Sequence, residues 1–514
     1  PLYNLGLALK YQNRYDEAYD MFYKSCWNAA WQDAGYFACA QISMMQDRMD
    51  DALDEIDRSL IRNWHHHKAR SLKTTILRRL GRMEDALRLI DESLKIDKFN
   101  FGCLYEKYLI TNKDDDLNTL MNMMRGEASN YEEISLDYCA AGCYKEAFTL
   151  WKIAIGENAI TPMTYYYLGW CMQNGNIDGV NDIFDKASKA SSDYCFPNRL
   201  EAILALRAAI KNNPQDAKAP YYLGLLYYDK RQYDLSKELW LQSAKLDEKF
   251  PTVWRNLALI YMNKENDETN AVSCMERAFR LDSTDARILM ELDQLYKRLH
   301  HSHQERLMFL SQYPNLIAQR DDLILENITL LNQTGEYLKA KQLLDNHIFH
   351  PWEGGEGKVP AQYQYSRVEL AKIALRTSRY DDAIKLLEEC LDYPHHLGEG
   401  KLINAQENDF YYFMGCAYEA KGNSLKAQEC WEKAINGPVE PAAAMYYNDA
   451  KPDKIFYAGL ALLKLGRVDE AHGRFYKLIT YGENHLFDHV RMDYFAVSLP
   501  DLLIWDDSLD RQNI

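Results

Sequence analysis

Small apolar residues recur at a fixed interval near the start of the chain. Ala18, Ala52 and Ala86 lie 34 residues apart, and each follows a run of acidic residues. A bulky apolar residue stands four positions after each alanine and a serine three positions further on, so all three share one face of a helix. A second helical pattern precedes each alanine, with a short turn between them. The pattern predicts a helical hairpin that repeats along the chain.

The same arrangement returns farther along, with a small residue in the first helix and an aromatic residue in the second. Gly224 and Gly415 are such small residues, and we expect two helices to cross at close range there. From Ala340 onward the interval lengthens to 43 or 44 residues. The additional residues fall at 349–362, 393–408 and 437–453. Insertions at one position of a repeat stack along one face, so the sequence predicts a decorated edge.

These positions resemble the tetratricopeptide repeat. The first helix carries an aromatic residue or leucine, then Leu-Gly, then tyrosine; the second carries alanine, an aromatic residue and alanine. The resemblance extends over nearly the whole chain and implies an all-α, right-handed superhelical solenoid of tetratricopeptide-like helical hairpins. It also implies a concave groove, lined by first helices, that binds a protein or peptide partner.

Breaks in the pattern predict three lobes. An amino-terminal lobe covers residues 1–190 and includes a degenerate unit near 101–130. A first-type helix is missing near 191–197, so we place the start of a middle lobe, 191–348, there. The carboxy-terminal lobe, 349–514, carries the inserted loops, two of which contain the sequence Gly-Glu-Gly-Lys.

Three segments are similar to one bacterial family: PTVWRNL at 251–257, LDQLYKRL at 292–299 and FHPWEGGEG at 349–357. Members of that family join an amino-terminal β-rich domain, reminiscent of carbohydrate-active β-sandwiches, to a tetratricopeptide array. The chain opens inside a first helix, and we expect it to be a fragment. The resemblance implies an alternative function, the regulatory or substrate-presenting half of a carbohydrate-processing enzyme whose β-domain precedes this fragment.

The composition indicates which kinds of partner and which cellular compartment are favoured. Sixty Lys and Arg against 76 Asp and Glu give a net charge of −16, which repels the phosphate backbone and disfavours a nucleic-acid partner. No stretch reaches the roughly 18 uninterrupted apolar residues of a membrane span. The eleven cysteines are scattered and odd in number, which is typical of a reducing compartment. We therefore predict a soluble, cytoplasmic protein.

Candidate binding residues lie one helical turn from the packing positions of the first helices. Aromatic rings there would offer rigid contact area to an extended peptide or, as an alternative ligand, a sugar ring. Individual rings could instead pack between neighbouring repeats. The groove candidates are Phe37, Tyr166, Trp170, Tyr221, Tyr228, Arg255, Tyr365, Tyr412 and Phe456.

The inserted loops offer a second candidate surface. Trp352, Glu353, Glu356 and Glu399 predict a docking site, with plain structural turns as the alternative reading. The Gly-Lys pairs lack the remaining residues of a phosphate-binding loop, so we expect no nucleotide cofactor. Clustered histidines in turns diverge and do not predict a metal site. The sequence therefore predicts a scaffold without a catalytic site, cofactor or metal, which mediates interaction with a protein partner or with an amino-terminal domain of the same polypeptide.

Overall fold

A computed structural model describes residues 1–352, 354–442, 449–488 and 504–505. Within these ranges the chain forms α-helices joined by turns, with short 3-10 helices at Ala29–Trp31 and His395–Leu397 and no strand. The all-α prediction of repeating helical hairpins is therefore confirmed. The chain divides into two compact units, residues 1–253 and 254–514. The three lobes, 1–190, 191–348 and 349–514, stay a prediction.

The first unit contains fifteen complete helices in its described residues, and most of them pair with a neighbour along the chain as a hairpin joined by a short turn. They are α1 (Leu2–Lys10), α2 (Tyr15–Ser25), α3 (Gln32–Met45), α4 (Met49–Arg62), α5 (His67–Arg79), α6 (Met83–Ile96), α7 (Phe101–Thr111), α8 (Asp114–Met124), α9 (Ala128–Ala140), α10 (Tyr144–Gly156), α11 (Pro162–Asn174), α12 (Val180–Lys189), α13 (Glu201–Asn212), α14 (Lys218–Asp229) and α15 (Tyr233–Leu246).

The second unit continues with helices of the same kind, several of them separated by longer loops. They are α16 (Pro251–Glu265), α17 (Glu268–Leu281), α18 (Ala286–Arg298), α19 (His303–Leu310), α20 (Pro314–Ile317), α21 (Asp321–Gln333), α22 (Tyr337–Asn346), α23 (Lys358–Arg376), α24 (Tyr380–Glu389), α25 (Asn408–Ala420), α26 (Ser424–Ala434), α27 (Pro452–Lys464) and α28 (Val468–His485). None of the described helices is both long enough and apolar enough to cross a membrane.

Many of the hairpin turns use one residue in the left-handed region, five positions before the alanine of the second helix. Asn13, Asp47 and Gly81 have φ of 60°, 59° and 74° and repeat at the same 34-residue interval. Asn, Asp and Gly tolerate this conformation better than other residues. In the second unit Gly422 and Gly466 occupy the same position. The turn therefore has a sequence signal of its own, independent of the apolar stripe.

The core is the predicted stripe of small and large residues. Ala18, Ala52 and Ala86 are fully buried, as are Phe22 and the corresponding large residues of the next two hairpins. Burying aromatic and aliphatic side chains of this size supplies roughly 1.5–3 kcal/mol each. Stability thus accumulates hairpin by hairpin along each unit.

Close helix crossing explains the glycines of the first helices. A methyl group on Gly224 would lie 2.4 Å from the indole nitrogen of Trp240, and one on Gly415 would lie 2.3 Å from that of Trp431. Both distances are too short for atoms in contact. The large residue of the second helix therefore packs directly over the glycine of its own hairpin.

The hairpin pattern of the first unit is interrupted between α12 and α13. No helix forms in residues 190–200, between α12 and α13, and both of these helices pack against α11. A helix with second-type sequence thus follows another without a first helix between them. The degenerate segment near 101–130 still forms a hairpin, α7 and α8, with three aspartates in the first turn of α8.

The inserted loops of the second unit contact one another in succession. The main-chain N–H of Phe349 donates to the carbonyl oxygen of His396 at 2.8 Å. The N–H of Gly357 donates to the Glu399 carboxylate at 2.7 Å. Equivalent loops therefore stack against each other, as the repeated insertion predicts.

Candidate binding clefts in the second unit

First helices of three successive hairpins border a cleft of about 340 Å³. We call it the repeat cleft. Helices α23, α25 and α27 form its walls, and inserted loops close its ends. Its lining includes Gln364, Tyr365, Val368, Glu369 and Lys372 of α23, Asp409 and Phe410 of α25, Lys454 and Tyr457 of α27, and Glu399, Leu402, Asn404, Gln406 and Lys451 of the loops.

Apolar side chains and aromatic rings provide part of the surface of the repeat cleft. Val368 and Phe410 are almost fully buried beneath it, whereas Tyr365 is 45% exposed. Tyr457 stands one residue after the predicted Phe456 and lines the cleft in its place. A partly exposed ring beside a buried apolar floor is a typical environment for an apolar anchor of a ligand.

Charged groups of the cleft are mostly paired. The Lys454 ammonium lies 2.5 Å from a carboxylate oxygen of Asp409 and 4.6 Å from the centre of the Phe410 ring. Burial raises the pKa of Asp409, and the neighbouring Lys454 opposes that rise. Lys372 binds Glu369 at 2.6 Å. These pairs neutralise much of the charge in the cleft.

Lys451 differs from the other two lysines. Burial lowers the pKa of its ammonium group, and repulsion from Lys454 adds to the effect, while Asp453 and Asp409 oppose it. Its main-chain N–H donates to Gln406 Oε1 at 3.0 Å, but no described residue accepts a hydrogen bond from its ammonium. A ligand carboxylate at this position would compensate the desolvated charge.

Two glutamine side chains fix the loops around the repeat cleft. Gln364 Nε2 donates to the Cys390 carbonyl oxygen and to the Tyr393 hydroxyl, both at 3.3 Å. Gln406 Nε2 donates to the carbonyl oxygen of Asp449 at 2.8 Å. Gln364 thus joins α23 to the loop after its own hairpin, and Gln406 joins the loops of two successive repeats, so the cleft is formed by the fold itself.

A second cleft, of about 320 Å³, lies among the inserted loops. This loop cleft is lined by Trp352, Glu356 and Glu399 together with His350, Pro351, Gly355, Val359 and Leu397. The structure thus brings together three of the four predicted loop residues. Glu353 lies outside the described residues.

Glu399 belongs to both clefts. Its carboxylate accepts the Gly357 N–H just before the first turn of α23, where the helix dipole favours negative charge. Burial nevertheless raises the pKa of this carboxyl, nearby Glu356 adds to the rise, and the hydrogen bond opposes it. Glu399 is therefore the one carboxyl common to the lining of both clefts.

The structure corrects two of the groove candidates. Tyr166 and Tyr221 are buried rather than surface residues. The Tyr166 hydroxyl donates to the buried Asp216 at 2.8 Å, and the Tyr221 ring packs against Phe250 at 4.7 Å between centres. Both rings stabilise contacts within the first unit, so neither can meet a partner.

The remaining aromatic candidates of the first unit are half-buried. The Phe37 ring lies 4.8 Å from the His66 ring, and the Tyr228 ring stacks on Trp240 at 5.6 Å. Trp170 is also half-buried. Their assignment to a binding surface stays a prediction.

Of the four candidates in the second unit, one is ion-paired, two pack on a neighbouring ring and one lines the repeat cleft. Arg255 of α16 binds the buried carboxylate of Glu291 through two nitrogens, at 2.5 and 2.6 Å. Tyr412 and Phe456 pack against Tyr457, at 5.7 and 5.6 Å between ring centres. Of the nine groove candidates, Tyr365 lines the repeat cleft.

Polar side chains of the first unit bind one another across its helices. The hydroxyl of Tyr11, which directly follows α1, donates to Glu201 of α13 at 2.8 Å. Lys68 of α5 binds Asp137 of α9 at 2.9 Å. The cavity beside Lys68 and Phe37 has a volume of about 30 Å³. That space is about the size of a single water molecule.

A buried carboxylate joins three helices of this face. Glu106 of α7 accepts hydrogen bonds from Thr75 at 2.8 Å, Arg78 at 2.6 Å and the Tyr138 hydroxyl at 2.7 Å. Arg78 also reaches Glu146 at 3.0 Å. Such a network orders the helices that carry it, because every polar atom has a specified partner.

Sequence reasoning missed the lysines and glutamines of the repeat cleft. A signal for them exists in the long interval, because Gln406 and Lys451, and likewise Asp409 and Lys454, are separated by 45 residues and meet across adjacent repeats. Among the described residues, no group of three or more His, Cys, Asp or Glu side chains could hold a metal ion. All eleven cysteines are free thiols, nine of them buried.

Family models described as tetratricopeptide repeat match the chain in two places, residues 198–252 and 409–436. The first segment contains α13–α15 and the second contains α25 and α26. Both coincide with helices of the repeating pattern. These two segments are therefore tetratricopeptide repeats.

Short parts of much longer human proteins are also similar. "RANBP2-like and GRIP domain-containing protein 8" of Homo sapiens is 31% identical over 81 residues, which is 16% of this chain and 4% of the relative. "E3 SUMO-protein ligase RanBP2" of Homo sapiens is 27% identical over 93 residues, 18% of this chain and 3% of the relative. The chain thus matches only a few per cent of the length of these curated relatives.

Solved structures with similar helical arrangements include yeast Tom70. It is 14% identical, with 82% of this chain and 96% of that chain covered, at a TM-score of 0.24. MamA from Desulfovibrio magneticus RS-1 is 18% identical, with 38% of this chain and 97% of that chain covered, at a TM-score of 0.23.

Proposed function

We propose that the chain is a non-catalytic scaffold for protein–protein interaction and that the repeat cleft holds an extended segment of a protein partner. One observation carries the proposal: first helices of three successive hairpins border a cleft of about 340 Å³. A volume of this size accommodates a small number of side chains. The eleven free thiols favour a reducing compartment, such as the cytoplasm.

The lining of the cleft indicates the chemistry of the segment. An apolar side chain would pack on Tyr365 above Val368 and Phe410. A carboxylate would accept a hydrogen bond from the buried Lys451 ammonium, which donates to no acceptor among the described residues. We therefore propose a partner segment in which an apolar residue stands close to an acidic residue or a terminal carboxylate.

Selection from a random peptide library tests this function on the full chain. Peptides enriched by the wild-type protein are measured by fluorescence anisotropy against Tyr365→Ala and a matched control, Tyr476→Ala. Tyr476 is 71% exposed on α28 and does not line the repeat cleft. We expect Tyr365→Ala to weaken binding about tenfold, because the partly exposed ring would be covered by the apolar residue of the segment, and Tyr476→Ala to bind as wild type does.

Equal affinities of wild type and Tyr365→Ala would contradict the proposal, as would a library that yields no binding peptide. Oligosaccharides titrated in the same format address the alternative function, the regulatory half of a carbohydrate-processing enzyme. Binding of oligosaccharides that Tyr365→Ala abolishes, without any binding of peptides, would favour that alternative.

A further inference from the structure

The loop cleft carries two carboxylates, and none of its described lining residues is lysine or arginine. Glu356 and Glu399 are both half-buried. Glu399 accepts the Gly357 N–H at 2.7 Å, whereas Glu356 has no hydrogen-bond or ion-pair partner among the residues that the structure describes. The ring of His350, which also lines the cleft, is already bound to Asp321 at 3.1 Å. The described lining therefore holds two carboxylates without a compensating cation.

The negative charge of this cleft is held at a cost. Burial raises the pKa of the Glu399 carboxyl, the hydrogen bond from Gly357 opposes that rise, and the charge of Glu356 adds to it. Two carboxylates that share one cleft repel each other, and burial removes water that would screen them. A cation between Glu356 and Glu399 would replace this repulsion with attraction. The cleft is thus electrostatically complementary to a positively charged ligand.

A tryptophan ring and a buried apolar floor adjoin the two carboxylates. A methyl group on Gly355 would lie 2.2 Å from the Trp352 ring, so the ring packs directly on the main chain of Gly355 and is held at the edge of the cleft. Val359 and Leu397 are each 1% exposed and form the floor. An indole face attracts a cation more strongly than other aromatic rings do.

This combination of groups indicates an organic cation rather than a metal ion. Calcium and magnesium require about six oxygen ligands, and the described lining supplies two carboxylates. A guanidinium group is planar and weakly hydrated, donates several N–H groups in a fixed fork, and stacks on aromatic rings. The methylene stem of an arginine packs on apolar surface. A space of about 320 Å³ accommodates such a side chain.

We propose that the loop cleft binds an arginine side chain of a protein partner. The guanidinium stacks on Trp352 and donates to Glu356 and Glu399. The stem of the arginine lies on Val359 and Leu397. This site rests on the proposed function for the nature of its ligand, a protein segment. Because Glu399 lines both clefts, one extended segment places its apolar residue in the repeat cleft and its arginine in the loop cleft.

A peptide library with one fixed arginine and random flanking residues tests the proposal on the full chain. The tightest peptide is measured by fluorescence anisotropy against wild type, Glu356→Gln and a matched control, Glu429→Gln. Glu429 is exposed on α26 and lines neither cleft. We expect Glu356→Gln to weaken binding about tenfold, because the guanidinium loses one of two charge-assisted acceptors. Glu429→Gln removes the same charge from the chain and should bind as wild type does.

Changes in the peptide and in the ring test the choice of arginine. A peptide with lysine in place of the fixed arginine should bind at least about fivefold more weakly, because an ammonium neither stacks nor forks between two carboxylates. Trp352→Phe keeps a ring but loses the stronger attraction of an indole, so we expect a loss of roughly threefold in affinity. Because Glu356 has no described hydrogen-bond partner, Glu356→Gln should keep the circular dichroism spectrum of wild type.

Equal affinities of wild type and Glu356→Gln would overturn the proposal, as would a lysine peptide that binds as tightly as the arginine peptide or a library that yields no binding peptide. Tyr365→Ala in the same assay separates this site from the repeat cleft. Loss of binding in Tyr365→Ala without loss in Glu356→Gln would overturn the arginine site and support the repeat cleft alone. Loss in Glu356→Gln without loss in Tyr365→Ala would support the arginine site and contradict the role of the repeat cleft.

Discussion

The two units are built from the same hairpin but use the inner side chains of their first helices differently. In the first unit these side chains bind one another, as in the pairs Lys68–Asp137 and Arg78–Glu106, and the cavity beside Lys68 is about 30 Å³. In the second unit, inserted loops join first helices around a cleft of about 340 Å³. The longer repeat thus adds walls around a space that side chains fill beside Lys68 in the first unit. A separate cleft of about 290 Å³ in the first unit lies instead among α13, α14 and α15.

The core of the hairpin does not account for this difference. Gly224 lies under Trp240 in the first unit and Gly415 lies under Trp431 in the second, at nearly the same distance. The repeat therefore keeps its internal packing while the residues outside the packing positions vary. Whether a repeat can bind a partner therefore depends on the residues outside the packing positions and on the loops.

Removing a buried charge should show the largest contrast between the units. Glu106→Gln leaves Arg78 without its main acceptor in a buried network, so we expect a loss of about 3 kcal/mol in the free energy of unfolding. Glu369→Gln breaks a partly exposed pair with Lys372 in the repeat cleft and should cost less than about 1 kcal/mol. Urea unfolding followed by circular dichroism measures both.

Equal losses in the free energy of unfolding from Glu106→Gln and Glu369→Gln would contradict the proposed difference between the two units. The inner face of the first unit would then not be an ordered network. A large loss from Glu369→Gln would indicate that the repeat cleft is held together by its own charges.

Enlarging the crossing glycines should affect both units alike. Gly224→Ala and Gly415→Ala place a methyl group within 2.5 Å of a tryptophan ring, so each should lower the free energy of unfolding by about 1–3 kcal/mol. No atom of the described residues lies within 4 Å of a methyl group added to Gly473 in α28. Gly473→Ala should therefore stabilise the chain by up to about 1 kcal/mol through helix propensity.

Thermal unfolding of the three glycine variants ranks their stabilities directly. If Gly224→Ala and Gly415→Ala were as stable as Gly473→Ala, the helices would not cross as closely as the structure shows. A loss in one unit alone would mean that the units do not share the same packing.

The burial of Lys10 should make the stability of the first unit depend on pH. We expect this effect to be smaller than those of the charge and glycine variants. Burial lowers the pKa of Lys10 to about 8, against opposing attraction from Glu201 and Asp137. Above that pH the unfolded chain retains a proton that the folded chain has released, so the stability of the folded state rises with pH. Relative to Lys10→Met, we expect wild type to gain about 1–2 kcal/mol between about pH 8 and pH 10.

Denaturant unfolding of wild type and Lys10→Met between about pH 8 and pH 10 measures the difference between their free energies of unfolding. The contributions of all other titrating groups cancel in that difference. Parallel curves for wild type and Lys10→Met would show that Lys10 titrates as an exposed lysine. A fall in the stability of wild type relative to the variant would reverse the sign and contradict the placement of Lys10.

Local patterns predicted the hairpins because their signals lie within one repeat. The alanine stripe through Ala18 and the glycines at crossings are set by packing between adjacent helices, so spacing alone reveals them. Stacked insertions followed from the longer interval. These features required no knowledge of which side chains meet across several repeats.

Neighbouring aromatics were harder to assign. Tyr166 has tyrosines on both sides in α11, and Tyr221 precedes Tyr222. A shift of one residue turns a side chain by about 100° around the helix, so a small error in phase exchanges the half-buried Tyr165 for the buried Tyr166, whereas Tyr221 and Tyr222 are both buried. Here Tyr166 is held inside by Asp216, 50 residues away.

Long-range pairs left no local trace. Tyr11 and Glu201 are 190 residues apart, and Trp505 reaches Glu291 over 214 residues. Such contacts depend on how the hairpins of a unit are arranged. The repeat cleft could be anticipated only through Tyr365 and Glu399, whereas the role of Lys451 depends on burial that the structure reveals.

Photo-crosslinking of a selected peptide tests most directly the claim that the second unit supplies the binding surface and the first does not. A peptide enriched by the full chain is synthesised with a photoreactive group, irradiated with the protein, and its attachment sites are mapped by mass spectrometry. The account predicts attachment to α23, α25 and α27, at or beside Tyr365 and Tyr457. Attachment concentrated on α3, α5 and α9, around Phe37 and Lys68, would contradict it.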